Sequence, residues 1–285
     1  MRRISHGLIL GVALVALGGC APPEADMVLH DGAPAVSAQR DPASFEEVRR
    51  FSTEEATQGV AVDERYFYAI SNRRIGKYEK DTGRRVGGWE GPADGPIIHL
   101  DSGVVIDGLL YCAHSNYPGV PMVSSIEIFD TETLQHVGSH SLGILGGSAT
   151  WVDRAEDGHW WVAFGNYAGR GGVPGRGPAW TNLVEFDESW RRVAGFVYPP
   201  TVVEQFERMS NSGGTWGSDG LLYITGHDDG VVFVLSLPTA GSVLVLEKEV
   251  PVRAEGQGIA WDRGEPGTLY SIIRSSREVV VSTLR

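Results

Sequence analysis

Among the 285 residues there are only two cysteines, and 24 Lys plus Arg stand against 36 Asp plus Glu, a formal charge of −12. Two thiols cannot build a disulfide scaffold. A chain so poor in Lys and Arg lacks the basic stripe that phosphate backbones require, so no nucleic-acid partner is expected. No segment has convincing helical periodicity beyond a short turn near Val202 to Arg208. There is neither a Gly-x-Ser-x-Gly elbow nor a phosphate loop, and the glycine-rich stretch Gly169 to Gly177 lacks the preceding strand and following helix of a nucleotide site. What is abundant is tryptophan, with eight, and glycine, with 38, about 13% of the chain against roughly 7% on average. The glycines have no period of three, which excludes a collagen. The length suits one large domain or two ordinary ones, either with a sizeable core.

The first segment reads as an address. Arg2 and Arg3 precede an apolar run from Leu8 to Leu17, a secretory signal too short to span a membrane. The following Leu17-Gly18-Gly19-Cys20 resembles the bacterial lipobox, which implies cleavage before Cys20 and lipidation of its thiol. An ordinary signal peptide with a cysteine at its cleavage site is the alternative. Residues 1–19 are thus expected to be removed, and 20–44, rich in Ala, Pro and Asp, to form a flexible tether. Loss of Arg2 and Arg3 takes the charge from −12 to −14. A body this acidic is repelled by anionic lipid, so acyl chains alone would hold it to the membrane, facing the periplasm or the cell exterior. Cys112, left without a partner in the apolar run Leu109-Leu110-Tyr111-Cys112-Ala113, is expected to be a buried free thiol.

From residue 45 onward the chain repeats about every 45 residues. Five times a short apolar strand, an Asp- or Gly-containing turn and an aromatic-rich strand follow one another: Gln58 to Asp63 with Tyr66 to Ile70, Ser102 to Asp107 with Leu109 to Tyr111, Ser148 to Asp153 with Trp160 to Phe164, Gly214 to Asp219 with Leu221 to Thr225, and Gln257 to Asp262 with Thr268 to Ile272. Third strands such as Ser125 to Phe129 follow, and most repeats add a more polar fourth. Four antiparallel strands per repeat predict an all-β chain, a β-propeller of five blades over 45–285. The fifth repeat ends after three strands, and Phe45 to Ser52 is the expected fourth, closing the ring between the two ends of the chain. A six-bladed ring with a degenerate blade in 166–211 is the alternative topology.

In such a ring the starts of first strands and the ends of second strands share one face, here called the top. First-to-second turns are short, as in Asp107-Gly108 and Asp219-Gly220, whereas the long insertions 90–101, 114–123, 165–181 and 198–213 fall on the top side. Long loops on one face of a rigid scaffold carry binding or catalysis. Strand starts bring Gln58, His99 or Asp101, Ser148, Ser212 and Gln257 there; strand ends bring Asn72, His114, Asn166, His227 with Asp228, and Arg274; Tyr117, Tyr167 and Trp180 lie in adjoining loops. His159, in a bottom turn, and His136 and His140, on an outer strand, read as structural. Two chemistries fit the top face. In one, His114 and His227 act as general acid and base, Asp228 or Asp101 orients an imidazole, and Arg274 clamps a substrate carboxylate, a set suited to opening or closing a lactone. In the other, His99, His114 and His227 hold a divalent metal ion. Gln58, Asn72, Asp101, Tyr117, Asn166, Tyr167, Trp180 and Gln257 are candidate ligand contacts, although polar groups at inner-strand ends also serve to satisfy backbone or hold channel water.

Ala56-Thr57-Gln58-Gly59-Val60-Ala61-Val62, His114-Ser115-Asn116-Tyr117-Pro118, Thr225-Gly226-His227-Asp228 and Gly256 to Asp262 resemble a group of secreted bacterial propeller proteins often labelled "cycloisomerase". Thr57-Gln58-Gly59, followed by Tyr78 to Gly83, also looks like the opening of five-bladed glutaminyl-peptide cyclotransferases. Both resemblances imply cyclising or lactone chemistry. The leading expectation is therefore an exported monomeric lipoprotein enzyme acting on a small carboxylated molecule. A non-catalytic lipoprotein, stacking Tyr117, Tyr167 and Trp180 on a glycan or peptide, is the second reading, and a scaffold for other envelope proteins the third.

Overall fold

The computed structural model describes residues 43–144, 146–227 and 230–285. Cys20 and the expected tether lie outside them, as does Asp228. After β1 (Phe45–Ser52), the strands fall into antiparallel sheets of four. The first blade comprises β2 (Gly59–Val62), β3 (Tyr66–Ser71), β4 (Arg74–Glu79) and β5 (Arg85–Glu90). The second has β6 (Leu100–Ile106), β7 (Leu109–Ser115), β8 (Ser124–Asp130) and β9 (His136–Gly143), and the third β10 (Ser148–Arg154), β11 (Trp160–Gly165), β12 (Asn182–Phe186) and β13 (Arg192–Val197). The fourth is built from β14 (Gly213–Trp216), β15 (Leu222–Thr225), β16 (Val231–Ser236) and β17 (Val245–Pro251). In the fifth, β18 (Ala260–Trp261), β19 (Thr268–Ile273) and β20 (Glu278–Leu284) are completed by β1, whose Phe45 pairs with Leu284 and Ser52 with Glu278. The chain is thus a five-bladed β-propeller. The six-bladed alternative fails because 166–211 supplies β12 and β13 to the third blade and otherwise only loop and short helical turns, one of them α1 (Pro200–Val203).

The repeated aspartates explain why the repeat is so visible. They lie at or just after the ends of the inner strands, and all but the exposed Asp107 hold the turn there or brace a neighbouring blade. Asp63 accepts the Arg65 and Tyr66 N–H groups and, at 2.6 Å, the hydroxyl of Tyr68 from the second strand; Asp219 likewise accepts the Leu221 N–H and the Tyr223 hydroxyl at 2.8 Å. Two others reach across blades. Asp262 forms a buried ion pair with Lys80 of the first blade, a second latch at the ring's seam. Buried Asp153 takes the Thr215 hydroxyl and the Trp216 N–H from the fourth blade and the Arg263 guanidinium, at 2.6 Å, from the fifth. Between blades the faces of adjacent sheets pack apolar side chains; Trp151, Tyr198, Phe206 and Phe233 fill one such wedge between the third and fourth. Cys112 is a buried free thiol inside the wedge between the first two blades, where burial pushes its ionisation far up and leaves it inert.

The inner strands are not evenly spaced along the axis. At their starts they touch: a Cβ at Gly59 would lie 2.8 Å from Ser102 Cα, and one at Gly258 would lie 2.6 Å from Gly59 Cα. Only glycine permits strands from three blades to approach so closely. At their other ends the strands part around a cavity of about 970 Å³. The pinched top and open bottom set where each functional group can stand.

Candidate functional site

Four of the sequence-derived candidates come together above the pinch. His99 precedes β6 and Asp101 lies within it; His227 follows β15 and Arg274 follows β19. His99 and Asp101 are buried, with His99 Nε2 3.9 Å from Asp101 Oδ2. Arg274 is exposed, and its charge is felt by all three of the others. Burial lowers the His99 pKa to about 4, helped by the nearby His114, Arg274 and His227. Burial does the same to His227, again to about 4, with Arg274 adding to the effect. The Asp101 carboxyl is driven far above its ordinary value by burial, against the opposing pull of the Ser102 N–H, which donates to its Oδ1 at 3.2 Å, and of Arg274. At neutral pH the site thus presents two uncharged imidazoles beside a carboxyl held toward its neutral acid form, with a single exposed guanidinium over them. His227 Nδ1 is engaged by Ser212 Oγ at 2.6 Å; the Ser210 backbone lies close enough to the ring to favour its protonated form in part, and no side-chain hydrogen bond reaches Nε2 among the described residues.

An aromatic wall stands beside this group. The half-buried Tyr117 ring packs on His99, with centroids 5.0 Å apart, and on the buried Tyr167 at 5.1 Å. The turn 169–172 is pressed against Tyr117, since a Cβ at Gly171 would meet the ring at 2.3 Å and its φ is +75°. Gln58 closes another side, its Nε2 donating to Asn72 Oδ1 at 2.5 Å. Gln257 takes a left-handed backbone, φ +68°, that lets its N–H reach the Gly226 carbonyl beside His227.

Other candidates have different places. His114 is fully engaged: the Ile98 N–H donates to Nε2 at 3.2 Å, so Nδ1 carries the proton and donates to Ser125 Oγ at 2.8 Å. The Ser125 hydroxyl donates in turn to Glu127 Oε1 at 2.6 Å, and Glu127 also holds Ser139 and His136. His114 therefore ties three strands to the 97–99 segment and has no free lone pair. The expected metal set does not form. Among the described residues, the group of three whose ligand atoms all lie within 4.8 Å is Asp157, His159 and Glu185 on the other face, not His99, His114 and His227. Those three are already bonded to one another, His159 Nδ1 to Glu185 at 2.6 Å and the His159 N–H to Asp157 at 2.9 Å. Asn166 is structural: buried, its Nδ2 donates to the Gly146 and Trp180 carbonyls. Trp180 stands apart from the two tyrosines, 54% exposed beneath Arg176 and lining a shallow pocket with Asn182 and Arg192.

Sequence reasoning missed two features. Asn211, fully buried in the 198–213 loop, accepts from Trp151 Nε1 at 2.5 Å and Tyr198 Oη at 2.8 Å and donates to the Gly213 and Thr225 carbonyls, holding the strand ends that flank Ser212 and His227. No repeat position marks it. The second is the cavity at the bottom mouth, whose tryptophans read in sequence only as strand residues.

No protein-family model matches the chain, and no curated protein matches it in sequence. Solved structures do. The PQQ-bound aldose sugar dehydrogenase of Streptomyces coelicolor superposes with a TM-score of 0.54 at 11% identity, over 86% of this chain and 99% of that one. Hydrazine synthase of Kuenenia stuttgartiensis gives 0.47 at 13%, over 78% and 70%, and the WD40 propeller domain of Doa1 gives 0.44 at 10%, over 85% and 97%. At such identities the first of these, the one above 0.5, is a likeness of fold, and the fold it supports is the β-propeller.

Proposed function

We propose that this chain is an exported propeller lipoprotein, anchored through Cys20, that opens or closes a lactone-type ring in a small carboxylated molecule at the top face. The observation that carries the reading is the grouping of His227, His99, Asp101 and Arg274. An exposed guanidinium offers a bidentate seat for a substrate carboxylate. A neutral imidazole with a nitrogen that no side chain engages can take a proton, and a carboxyl held toward its neutral form can give one. In ring opening, His227 Nε2 removes a proton from the attacking water while Asp101 returns one to the departing ring oxygen. Closure runs the same transfers in reverse, and neither direction needs an oxidant. Compared with the pairing expected from sequence, the base is His227 alone, and His114 supports the segment carrying His99. The glycan- or peptide-stacking reading loses one ring of its three, since Trp180 is not beside Tyr117 and Tyr167.

The test is turnover of a panel of aliphatic lactones and unsaturated dicarboxylates. His227→Ala and Asp101→Asn should each lower kcat by about 10²-fold or more, as removal of a general base or acid does. Arg274→Ala should act mainly on KM, with the melting temperature unchanged. Full activity in His227→Ala would sink the assignment.

A further inference from the structure

The cavity at the opposite mouth, about 970 Å³, lies on the other side of the pinch from the site just described. Its volume is that of a pocket for a small organic molecule. Its wall is aromatic. Trp216 ends the inner strand of the fourth blade and Trp261 that of the fifth; both are half-buried, and both line the cavity. Each is backed by a buried ring standing on edge against it. Trp161 meets Trp216 at 5.0 Å and 62°, and Tyr223 meets Trp261 at 4.9 Å and 88°. The Tyr223 hydroxyl is tied to Asp219, and buried Asp153 accepts the backbone N–H of Trp216, which fixes the strand end carrying that indole; the indole Nε1 atoms of Trp216 and Trp261 themselves make no hydrogen bond among the described residues. The two indoles are held in place before any ligand arrives, which reduces the ordering cost of binding.

The rim is negative. Six carboxylates line the cavity against two guanidiniums. Both guanidiniums are already committed, Arg263 to Asp153 at 2.6 Å and Arg154 to Glu188 at 3.7 Å. Glu156, Asp157 and Asp219 have no cationic partner among the described residues, and Glu156 and Asp157 are exposed beside the opening. An anion is repelled here, and a neutral ligand gains nothing from the rim. A bare metal ion would gain little from indole faces. A cation with an apolar shell gains from both, through the negative faces of the rings and through the carboxylates. The rim already shows the pairing in miniature, with Arg154 lying over the Trp160 ring at 5.5 Å.

We propose that this bottom-face cavity binds a small organic cation of the alkylammonium class, independently of the reaction at the top face. The probe is choline, and its control is 3,3-dimethylbutan-1-ol, which has the same shape without the charge. Titration of the full chain with choline, followed by tryptophan fluorescence and calorimetry, should show saturable binding that weakens as salt is raised. The alcohol should bind at least about tenfold more weakly, the ratio that a desolvated cation–π contact supports. Trp216→Ala and Trp261→Ala should each weaken choline by about fivefold or more. Because a truncated indole can loosen the blade, the exposed double variant Glu156→Gln/Asp157→Asn, which touches no core group, should also weaken choline and flatten the salt dependence. Absence of choline binding, equal binding of the alcohol, saturable binding of glucose in place of choline, or choline binding indifferent to all three variants would each overturn the proposal. Top-face variants such as His227→Ala should leave choline affinity unchanged, so the two assignments fail separately.

Discussion

Asn211 shows what a single side chain holds at this site. Its amide makes four hydrogen bonds in a fully buried position, joining Trp151 and Tyr198 in the wedge to the backbone on both sides of Ser212 and His227. Replacement by alanine leaves the buried Trp151 and Tyr198 donors without their acceptor, each costing about 1–3 kcal/mol, and removes a contact to the Gly213 carbonyl, while the Thr225 carbonyl keeps the Ser212 N–H. Asn211→Ala should therefore lose roughly 3 kcal/mol or more in urea denaturation. It should lower turnover beyond what the stability loss explains, because the Ser212–His227 contact depends on those strand ends. His114 makes the complementary point. In sequence it is indistinguishable from His227, both being histidines just beyond or at the end of a second strand. What separates them is the neighbour each meets: the Ile98 N–H closes one lone pair of His114, while no side-chain hydrogen bond reaches Nε2 of His227 among the described residues. Such a difference is set by the path of the 90–101 loop, which has no periodicity to follow.

At the scale of the element, β1 closes the ring by pairing with β20 from Phe45↔Leu284 to Ser52↔Glu278, and it contributes Phe51, stacked on Phe67 at 5.1 Å. Removing residues 1–52 would bare the whole edge of β20 and the apolar side chains beneath it, an open template for pairing between chains. Compared with the full chain, the truncated chain should elute as dimers or aggregates in size-exclusion chromatography, with its cooperative melting transition lost or lowered by at least about 10 °C, several kcal/mol at this size. That closure was legible in the sequence, because a fifth repeat lacking its outer strand and an unassigned strand before the first repeat complete one another. The blade count was legible for the same reason: the strand–turn–strand unit recurs in every repeat, with the turn tied to its aspartate in the first and fourth. Loop-borne groups were not. Trp180 leaves the axis because 165–181 runs outward over the third blade to a short helical turn, and strand register carries no information about that path. Nor did the repeats reveal that the inner strands are crowded at one end and parted at the other, since that depends on glycines meeting across blades.

The whole molecule stores opposing responses to pH in the top-face group, and their signs can be worked out. His99 has a folded pKa of about 4 against 6.5 when unfolded, because burial disfavours its charge and His114, Arg274 and His227 add to the effect. The unfolded chain then binds more protons, so the stability present above pH 6.5 is lost as pH falls from 6.5 toward 4. His227 follows the same course. Each contributes on the order of 3 kcal/mol across that window. Asp101 runs the other way: burial raises its folded pKa far above 3.8, so the stability it retains in acid is lost as pH rises through the folded value. Substitution isolates the two terms. His99→Gln carries no titrating group, so its loss of stability between pH 7 and pH 4 should be smaller than that of the parent chain by roughly the contribution of one histidine. Asp101→Asn mimics the neutral acid at every pH. Relative to the parent it should gain stability as pH rises above 4, and the pH at which that gain levels off reports the folded pKa of the buried carboxyl. Urea denaturation of the three chains at pH 4, 5.5, 7 and 8 gives all the differences. Parallel curves for parent and Asp101→Asn would mean that the carboxyl titrates normally and stands ionised beside Arg274, which would remove the proton donor from the proposed reaction while leaving the carboxylate clamp in place.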